Sequence, residues 1–379
     1  MATSPILRAV PATIRRRRAA PKQTSLTLFP TAARHGNCEP LNGASAPPPA
    51  TDRSMKPVPE LVGIARLAAS SPQADAKRGT EYYLLPVRSI LNHCDSERVP
   101  FRWTINPYRG CEFGCKYCYA RYTHEYMELD GGEFESKIFV KKDAGALIER
   151  ELTAENTRGE HIALGTATDP YQPAEKEFGA TRAILEKMAE REGLVLEITT
   201  KSNQVVRDID LLERIAKRSV LRVNMSVACI HTRLARMLEP RAPRPDLRLE
   251  AVSKLRAAGI SAGVNAMPIL PGLTDGEKDL DALVRAAKEA NSEWIAGGVL
   301  FLMPSSLKQF LPFLGQKFPK LLRQYQEWFG RGGYAPETYR KEIADRFEKL
   351  RLKYGISGRP QMPTAAQQYS PQMVLSLTP

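Results

Sequence analysis

The chain of 379 residues is 42% hydrophobic, which supplies enough apolar side chains for one large domain with smaller appendages. Its formal net charge of +13 suits an anionic partner such as nucleic acid without proving one. Six cysteines in a chain of this length exclude a disulfide-framework protein and indicate a reducing compartment, so we expect a cytoplasmic protein. No apolar run is long enough to span a bilayer, which predicts no membrane contact.

The N-terminal part of the chain predicts no folded structure. Residues 1–80 are rich in Ala, Pro, Ser and Arg and lack sustained periodicity, which predicts a disordered basic head. Residues 1–38 carry seven Lys and Arg and no acid, so a transit peptide and a start codon placed too early are the alternatives. Segments 23–29 and 372–377 resemble short peptides that dock on the bacterial sliding clamp, although a stray apolar patch is the simpler explanation.

A loop with three cysteines follows the first predicted strand, 101–105. Cys111, Cys115 and Cys118 have the spacing C-x-x-x-C-x-x-C, and cysteine thiolates are the ligands of iron–sulfur clusters. Three thiolates hold three irons of a 4Fe–4S cube and leave the fourth iron open, where the amino and carboxylate groups of S-adenosylmethionine would chelate. Tyr117 and Tyr119 flank the third cysteine and would shield the cluster from solvent.

The alternative metal at this loop is zinc. Structural zinc sites usually have four Cys or His ligands, often in two close pairs. Here His124 is the nearby candidate for a fourth ligand, and it lies on a predicted helix, 116–127. The loop therefore favours the cluster, and a zinc-stabilised nucleic-acid-binding module without catalysis stays open as the second hypothesis.

Strands and helices alternate over the next part of the chain. The predicted strands are 162–168, 194–200, 220–227, 260–266 and 294–302. The predicted helices are 178–192, one that begins at the cap Asp208, 247–258 after the cap Asp246, and one opened by a capping box of Thr274 and Glu277. About six β–α units of this kind close into a barrel or form an open doubly wound sheet. Residues 305–356 predict an aromatic helical extension, and 357–379 predict a flexible tail.

Polar residues follow the predicted strands, at the edge where parallel α/β folds bind ligands. Thr168 and Asp169 follow the second strand and offer oxygens to the amino group of S-adenosylmethionine. Lys201 follows the third strand and would pair with the carboxylate of S-adenosylmethionine. Ser226 follows the fourth strand and would hydrogen-bond S-adenosylmethionine. The segment 268–275 would lie against the adenine. Taken singly, Asp169 could merely shape a turn and Lys201 could lie on the surface, but together these positions predict a site.

Four motifs carry a resemblance to a known family: the cysteine loop, T-D-P-Y-Q-P-A-E at 168–175, T-K-S at 200–202 and P-I-L-P-G-L-T-D at 268–275. With them the chain resembles the radical S-adenosylmethionine superfamily over roughly residues 84–355, and within it the spore photoproduct lyase group. The resemblance implies a partial (β/α)6 TIM-like barrel at 84–304 that holds a 4Fe–4S cluster and S-adenosylmethionine. It also implies that Lys201 and Ser226 contact the cofactor, and that Tyr117 and Tyr119 match the tyrosines around the lyase's third cysteine.

The predicted activity is that of a radical enzyme with lyase-like chemistry. A one-electron donor of the flavodoxin or ferredoxin type would reduce the cluster, and cleavage of S-adenosylmethionine would yield a 5′-deoxyadenosyl radical that abstracts hydrogen from a substrate. A damaged or modified nucleic acid is the first candidate substrate, with a peptide or small metabolite as the alternative. In the lyase, a cysteine near the end of the second strand returns a hydrogen atom to the product radical. Residues 165–169 of this chain contain no cysteine. Cys229, one strand later, is the candidate replacement, with a buried structural role as its alternative.

Overall fold

The computed structural model describes residues 61–363, apart from 78, 98, 154–156 and 158. The two clamp-like segments, 23–29 and 372–377, and the basic residues 1–38 lie outside the described residues, so the predictions made for them stay predictions. In the part of the chain that is described, no helix has the length and apolarity needed to cross a membrane.

The strands within this range form two sheets. They are β1 Gln73–Lys77, β2 Thr80–Leu85, β3 Leu91–His93, β4 Trp103–Ile105, β5 Tyr108–Arg109, β6 Lys137–Lys141, β7 His161–Leu164, β8 Val195–Thr200, β9 Val220–Ser226, β10 Ala262–Ile269 and β11 Ile295–Val299. The larger sheet has the order β11-β10-β9-β8-β7-β4-β3, and its neighbours are parallel except for β3 against β4. Its parallel strands occur in sequence order, with helices after each of them, which confirms the predicted partial (β/α)6 barrel.

Helix α1 precedes the first strand, and further helices follow each parallel strand of the barrel. They are α1 Gly63–Ala69, α2 Tyr122–Glu125, α3 Ala144–Glu151, α4 Glu175–Phe178, α5 Ala180–Met188, α6 Ile209–Ala216, α7 Thr232–Leu238, α8 Pro245–Ala257, α9 Glu277–Glu289, α10 Pro304–Lys317, α11 Leu322–Phe329 and α12 Glu337–Tyr354. The predicted helix 178–192 is the shorter helix α5, because Gly179 adopts φ +59° and separates it from α4. The predicted helix 116–127 is a 3₁₀ turn, Tyr119–Arg121, followed by the single turn α2.

The two faces of the barrel strands differ in polarity. Leu196, Ile198 and Val223 are fully buried in the hydrophobic core that the strands share with helices. Side chains alternate along a strand, so Glu197 and Arg222, which lie opposite each other on β8 and β9, point to the other face. Both are buried as well. The inner face of the barrel is therefore polar, which suits a ligand-binding interior more than a core filled with aliphatic layers.

Of the three predicted helix caps, Asp208 is confirmed as the N-cap residue of α6, and the other two are wrong. The Thr274 hydroxyl accepts a hydrogen bond from the Leu270 N–H at 2.8 Å, and Gly276 stands at the N-cap of α9 without a side-chain cap. Asp208 occupies the N-cap position of α6 but makes no side-chain cap bond, because its buried carboxylate pairs with Arg182 and Arg207. For α8 the cap position falls two residues before Asp246. In each case a tertiary or neighbouring partner competes with the helix N–H groups for the oxygen.

The prediction of a disordered head over 1–80 is wrong for its last part. Helix α1 and strands β1 and β2 fold, and β2 pairs in parallel with β6. The second sheet has the order β1-β2-β6-β5. Ala68 packs with Leu85 and Phe139 in a small apolar cluster, which explains how an alanine-rich segment is held. Alanine side chains are small and give only a weak hydrophobic periodicity in a sequence, but they still pack against larger side chains.

The C-terminal helices α10, α11 and α12 confirm the predicted helical extension. Phe310, Tyr325 and Phe329 are fully buried and share one apolar cluster with Cys115 and Tyr117 of the cysteine loop. The helices therefore cover the cysteine loop and shield it from water.

The tail, predicted to be flexible from residue 357, begins with an ordered segment. The Ser357 carbonyl accepts from the Ile295 N–H at 2.9 Å. The Pro360 carbonyl accepts from Arg222 at 2.6 Å, and Arg359 pairs with Glu197. Residues 357–360 are thus held by the charged side chains of the inner barrel face and by the start of β11.

Candidate functional site

The cysteine loop, residues 106–119, runs from the end of β4 to the 3₁₀ turn that precedes α2. Backbone hydrogen bonds fix it at two points. The Cys111 N–H donates to the Phe134 carbonyl at 2.9 Å, and the Lys116 N–H donates to the Leu238 carbonyl at 2.9 Å. The buried Arg121 side chain donates to the Cys115 carbonyl at 3.2 Å. The loop is therefore attached to three different parts of the chain before any ligand is considered.

Gly110 is required by the path of this loop. Its φ of +83° lies in the region that favours glycine, and an added Cβ would lie 2.7 Å from the Lys137 carbonyl oxygen and 2.9 Å from that of Phe134. Only a residue without a side chain lets the backbone pass these two carbonyl groups this closely.

The 168–175 loop after β7 binds the cysteine loop directly. The Thr168 hydroxyl donates to the Gly110 carbonyl at 2.6 Å, and the Gln172 amide nitrogen donates to the same carbonyl at 3.1 Å. The Gln172 amide oxygen accepts from the Glu112 N–H at 2.9 Å. Thr168 was predicted to face S-adenosylmethionine. The structure shows that its hydroxyl positions the backbone beside the first cysteine.

Glu112 strengthens the same contact from the cysteine loop. Its buried carboxylate accepts from the Ala174 N–H at 2.7 Å and from the Tyr82 hydroxyl at 2.9 Å. Burial raises the pKa of this carboxyl even though both hydrogen bonds oppose the shift. Glu112 therefore joins the cysteine loop to both the 168–175 loop and β2.

Asp169 orients the end of β8. Its carboxylate accepts from the Tyr171 N–H at 2.9 Å, the Thr200 hydroxyl at 2.7 Å and the Lys201 N–H at 2.7 Å. Burial raises its pKa against these hydrogen bonds. The charge of Asp169 also raises the pKa of Cys111, so the carboxylate lies near the first cysteine. Both of its oxygens are bonded within the protein, and the predicted role in binding an amino group stays a prediction.

The three loop thiols lie in one low-polarity environment, with Cys111 and Cys115 buried and Cys118 half-buried. Burial raises the pKa of all three, that of Cys115 to about 12, and the charge of Cys118 adds to the upward shift at both Cys111 and Cys115. All three are free of disulfides. Buried thiols with raised pKa values are deprotonated when a metal supplies the compensating charge. The donor set therefore fits an iron–sulfur cluster.

The described residues contain no group of three or more His, Cys, Asp or Glu arranged around a single metal ion. In a four-iron cube each thiolate ligates its own iron, so the sulfurs are spaced more widely than around one ion. His124, the candidate fourth zinc ligand, is committed elsewhere: its Nε2 lies 2.9 Å from the Lys137 carbonyl oxygen, and its ring packs edge-on against Phe134. Burial lowers its pKa to about 4. The loop favours the cluster over zinc.

Lys201, at the end of β8, lies beside these thiols. Burial lowers its pKa, but the charges of Cys115 and Glu239 outweigh this effect, and the net shift is upward. Its ammonium lies 5.9 Å from the centroid of the Tyr117 ring. The structure thus brings Lys201 to the cysteine loop, as expected for a residue that would pair with a carboxylate there.

A buried ion pair that the sequence analysis did not predict, Glu239 with Arg248, contacts the cysteine loop through Tyr117. The Tyr117 hydroxyl donates to Glu239, and Glu239 pairs with Arg248 at 2.5 Å. Arg248 also donates to the Ser226 carbonyl at 3.0 Å, which links the pair to the end of β9. A signal was available, because Glu239 is the single acid in the stretch 229–245 and Arg248 lies on the buried face of α8. Ser226 itself is buried at this junction.

The two remaining predicted residues make structural contacts. The Tyr119 hydroxyl donates to the Thr166 carbonyl, which joins the cysteine loop to the end of β7. The Cys229 thiol is buried and donates to the His231 carbonyl, with 3.8 Å between sulfur and oxygen. Burial, and secondarily Glu239, raises its pKa to about 12. This is the environment of a packed structural cysteine, and a catalytic role for Cys229 stays a prediction.

A partial parallel α/β barrel with a three-cysteine loop at the carboxyl end of its first strand defines a class of iron–sulfur enzymes. The family model of the Radical SAM superfamily matches residues 105–284. The chain belongs to this superfamily and is a radical SAM enzyme. An uncharacterized protein of Mycobacterium tuberculosis is 34% identical to it over 309 residues, 81% of this chain and 89% of the relative. An uncharacterized protein of Methanocaldococcus jannaschii is 34% identical over 176 residues, 46% of this chain and 63% of the relative.

Solved structures show which fold of the superfamily the chain adopts. Spore photoproduct lyase complexed with dinucleoside spore photoproduct matches with a TM-score of 0.56 and 16% identity, covering 79% of this chain and 85% of that one. A mutant of the lyase in which one cysteine is replaced by serine matches with the same TM-score and coverage. The chain therefore has a spore photoproduct lyase-like fold, as the sequence motifs predicted.

Proposed function

We propose that Cys111, Cys115 and Cys118 hold a 4Fe–4S cluster and that Lys201 and Ser226 bind S-adenosylmethionine beside it. When bound, the reduced cluster and S-adenosylmethionine supply a 5′-deoxyadenosyl radical for hydrogen abstraction. One observation carries the proposal: the loop that bears the three cysteines lies beside a cationic Lys201, whose ammonium is 5.9 Å from the centroid of the Tyr117 ring, at the carboxyl end of the barrel strands.

The chain's own residues then have separate tasks. Lys201 is cationic and suits a carboxylate partner. Glu239 and Arg248 hold the Tyr117 ring through its hydroxyl, next to the third cysteine. The apolar cluster under α10 and α11 excludes water from the loop, which protects a reactive species from side reactions.

The test is anaerobic reconstitution of the full chain with iron and sulfide. The wild type should bind about four irons, absorb near ~400 nm and cleave S-adenosylmethionine under dithionite. The variant Cys111→Ala/Cys115→Ala/Cys118→Ala should lose the iron, the absorption and the cleavage. Cys94→Ala, which removes a partly exposed cysteine outside the loop, is the matched control and should keep all three. A colourless wild type with one zinc ion would refute the proposal.

For the substrate we propose a damaged or modified nucleic acid. The net charge of +13 supports an anionic partner, and the structural neighbour named above was solved with a dinucleoside spore photoproduct. Thymine-dimer repair itself is not part of the proposal, because residues 165–169 lack the cysteine described above. Binding to an oligonucleotide should weaken steeply as salt rises, since phosphate contacts release counterions. Salt-independent binding, or none, would point to a peptide or small metabolite.

We also propose a cytoplasmic location. The described cysteines are all free thiols, which a reducing compartment preserves. Fractionation of cells that express a tagged chain would test it, and recovery outside the cytoplasm would refute it.

A further inference from the structure

A surface cleft of about 620 Å³ lies between the cysteine loop, α7 and α10. Lys116 contributes to its wall from the loop, Met237 from α7, and Phe313 and Lys317 from α10. None of the strand-end residues predicted to bind S-adenosylmethionine is among its lining residues. The cleft therefore uses a face of the cysteine loop that the proposed cofactor site does not use.

Two of the residues that line the cleft are neighbours of Cys115, a proposed cluster ligand. Lys116 follows directly on Cys115. Arg121, which also lines the cleft, donates to the Cys115 carbonyl at 3.2 Å. A protein bound in the cleft would therefore lie against the residue next to the second cysteine and against a side chain that bonds its carbonyl.

The charge of the cleft is positive and uncompensated. Glu135 is the acid among its described lining residues, and that carboxylate is bound to Arg121 at 2.6 Å. Lys116 and Lys317 have no ion-pair partner among the residues that the structure describes. Helices α7 and α10 contain no acid at all, and α10 also presents the exposed Lys308. An apolar centre at Met237 and Phe313 inside a cationic rim is the composition of a protein-docking surface.

We propose that this cleft docks the one-electron donor, a small acidic redox protein of the flavodoxin or ferredoxin type. The inference rests on the proposed function, because it assigns the donor a place beside the proposed cluster. One electron leaves the reduced donor and is gained by the cluster, with no bond formed or broken. Opposite charges steer such a partner to the cleft and set its orientation. A nucleic acid is the less suitable occupant, because a substrate must reach the radical at the strand ends near Lys201.

Charge reversal on α10 tests the docking surface without touching the cysteine loop. The variant is Lys308→Glu/Lys317→Glu in the reconstituted full chain, and the probe is a purified acidic flavodoxin. Binding is measured by isothermal titration at low salt and at ~0.15 M salt. Cluster reduction by flavodoxin is followed separately as loss of visible absorption in a stopped-flow cell. Wild-type affinity should fall with salt, and the variant should bind about tenfold more weakly and be reduced correspondingly more slowly.

The matched control is Lys217→Glu. Lys217 is also exposed and also sits at a helix C-terminus, that of α6, away from the cleft. It should bind flavodoxin as the wild type does. Dithionite needs no docking, so dithionite-driven cleavage of S-adenosylmethionine should be equal in the wild type and the α10 variant.

Unchanged flavodoxin binding in the α10 variant would overturn the docking surface alone, since dithionite-driven cleavage still reports on the proposed function. Loss of affinity for a single-stranded oligonucleotide with flavodoxin binding intact would also overturn it and assign the cleft to nucleic acid. A wild type that binds flavodoxin but does not cleave S-adenosylmethionine with dithionite would overturn the proposed function.

Discussion

Gln172 connects the 168–175 loop to the cysteine loop, and its removal tests whether this contact holds the proposed metal ligands in place. The side chain is fully buried and bonds the Gly110 carbonyl, the Thr168 hydroxyl and the Glu112 N–H. In Gln172→Ala the Glu112 N–H loses its acceptor, and an unpaired buried group costs about 1–3 kcal/mol. The cavity left by the truncated side chain adds to this. We expect the free energy of unfolding to fall by about 3 kcal/mol in total.

The consequence for function follows from the position of Glu112, directly after Cys111. A backbone that is no longer held there should misplace the first thiol, so Gln172→Ala should also bind less iron on anaerobic reconstitution. Urea unfolding of the reconstituted protein measures the first effect, and iron content per chain measures the second. Gln172→Glu keeps the size but places a carboxylate oxygen against the Gly110 carbonyl in a fully buried site, so it should lose at least as much stability as Gln172→Ala.

Gln204→Ala is the matched control, because Gln204 is partly exposed and its side chain donates one long hydrogen bond, 3.4 Å, to the Tyr171 carbonyl. Its cost should stay below about 1 kcal/mol, with full iron content. If Gln172→Ala unfolded at the same urea concentration as Gln204→Ala and bound full iron, the interpretation of the 168–175 loop as a support for the cysteines would be wrong.

Two buried ion pairs give further predictions. Burial raises the pKa of Glu197, but His161 and Arg359 lower it more, to about 2 from the usual 4.5. The ionised carboxylate therefore stabilises the fold above pH 4.5, by about 3 kcal/mol, and this stability is lost as pH falls from 4.5 through 2. Arg359→Ala should raise that pKa and move the midpoint of acid unfolding, followed by circular dichroism, to higher pH; an unchanged midpoint would contradict the assignment. Glu239→Leu leaves the Arg248 charge buried without its partner and should cost about 3–5 kcal/mol in urea unfolding, while Glu239→Leu/Arg248→Met should recover most of it. Additive costs in the double variant would show that the two residues act independently.

The residue patterns were enough to predict the alternating strands and helices and the position of the cysteines, while the choice of a partial barrel over an open sheet came from the family resemblance. Hydrophobic periodicity depends on near neighbours, so the strands that became β7 to β11 were predicted to within a few residues. The cysteine spacing is likewise local, and the rule that parallel strands bind ligands at their carboxyl ends placed Lys201 near the cysteines. These features follow from short stretches of chain and one general rule of topology.

The partners of buried polar groups were decided by the tertiary structure. Tyr117 and Glu239 are 122 residues apart in sequence, and no local pattern links them. Thr274 was predicted to cap a helix and instead bonds the Leu270 N–H. The alanine-rich residues 63–69 fold because Leu85 and Phe139 of the second sheet pack on them. A hydrogen-bonding group or a small side chain can pair with many different partners, and the tertiary fold determines which of them is close enough to make contact.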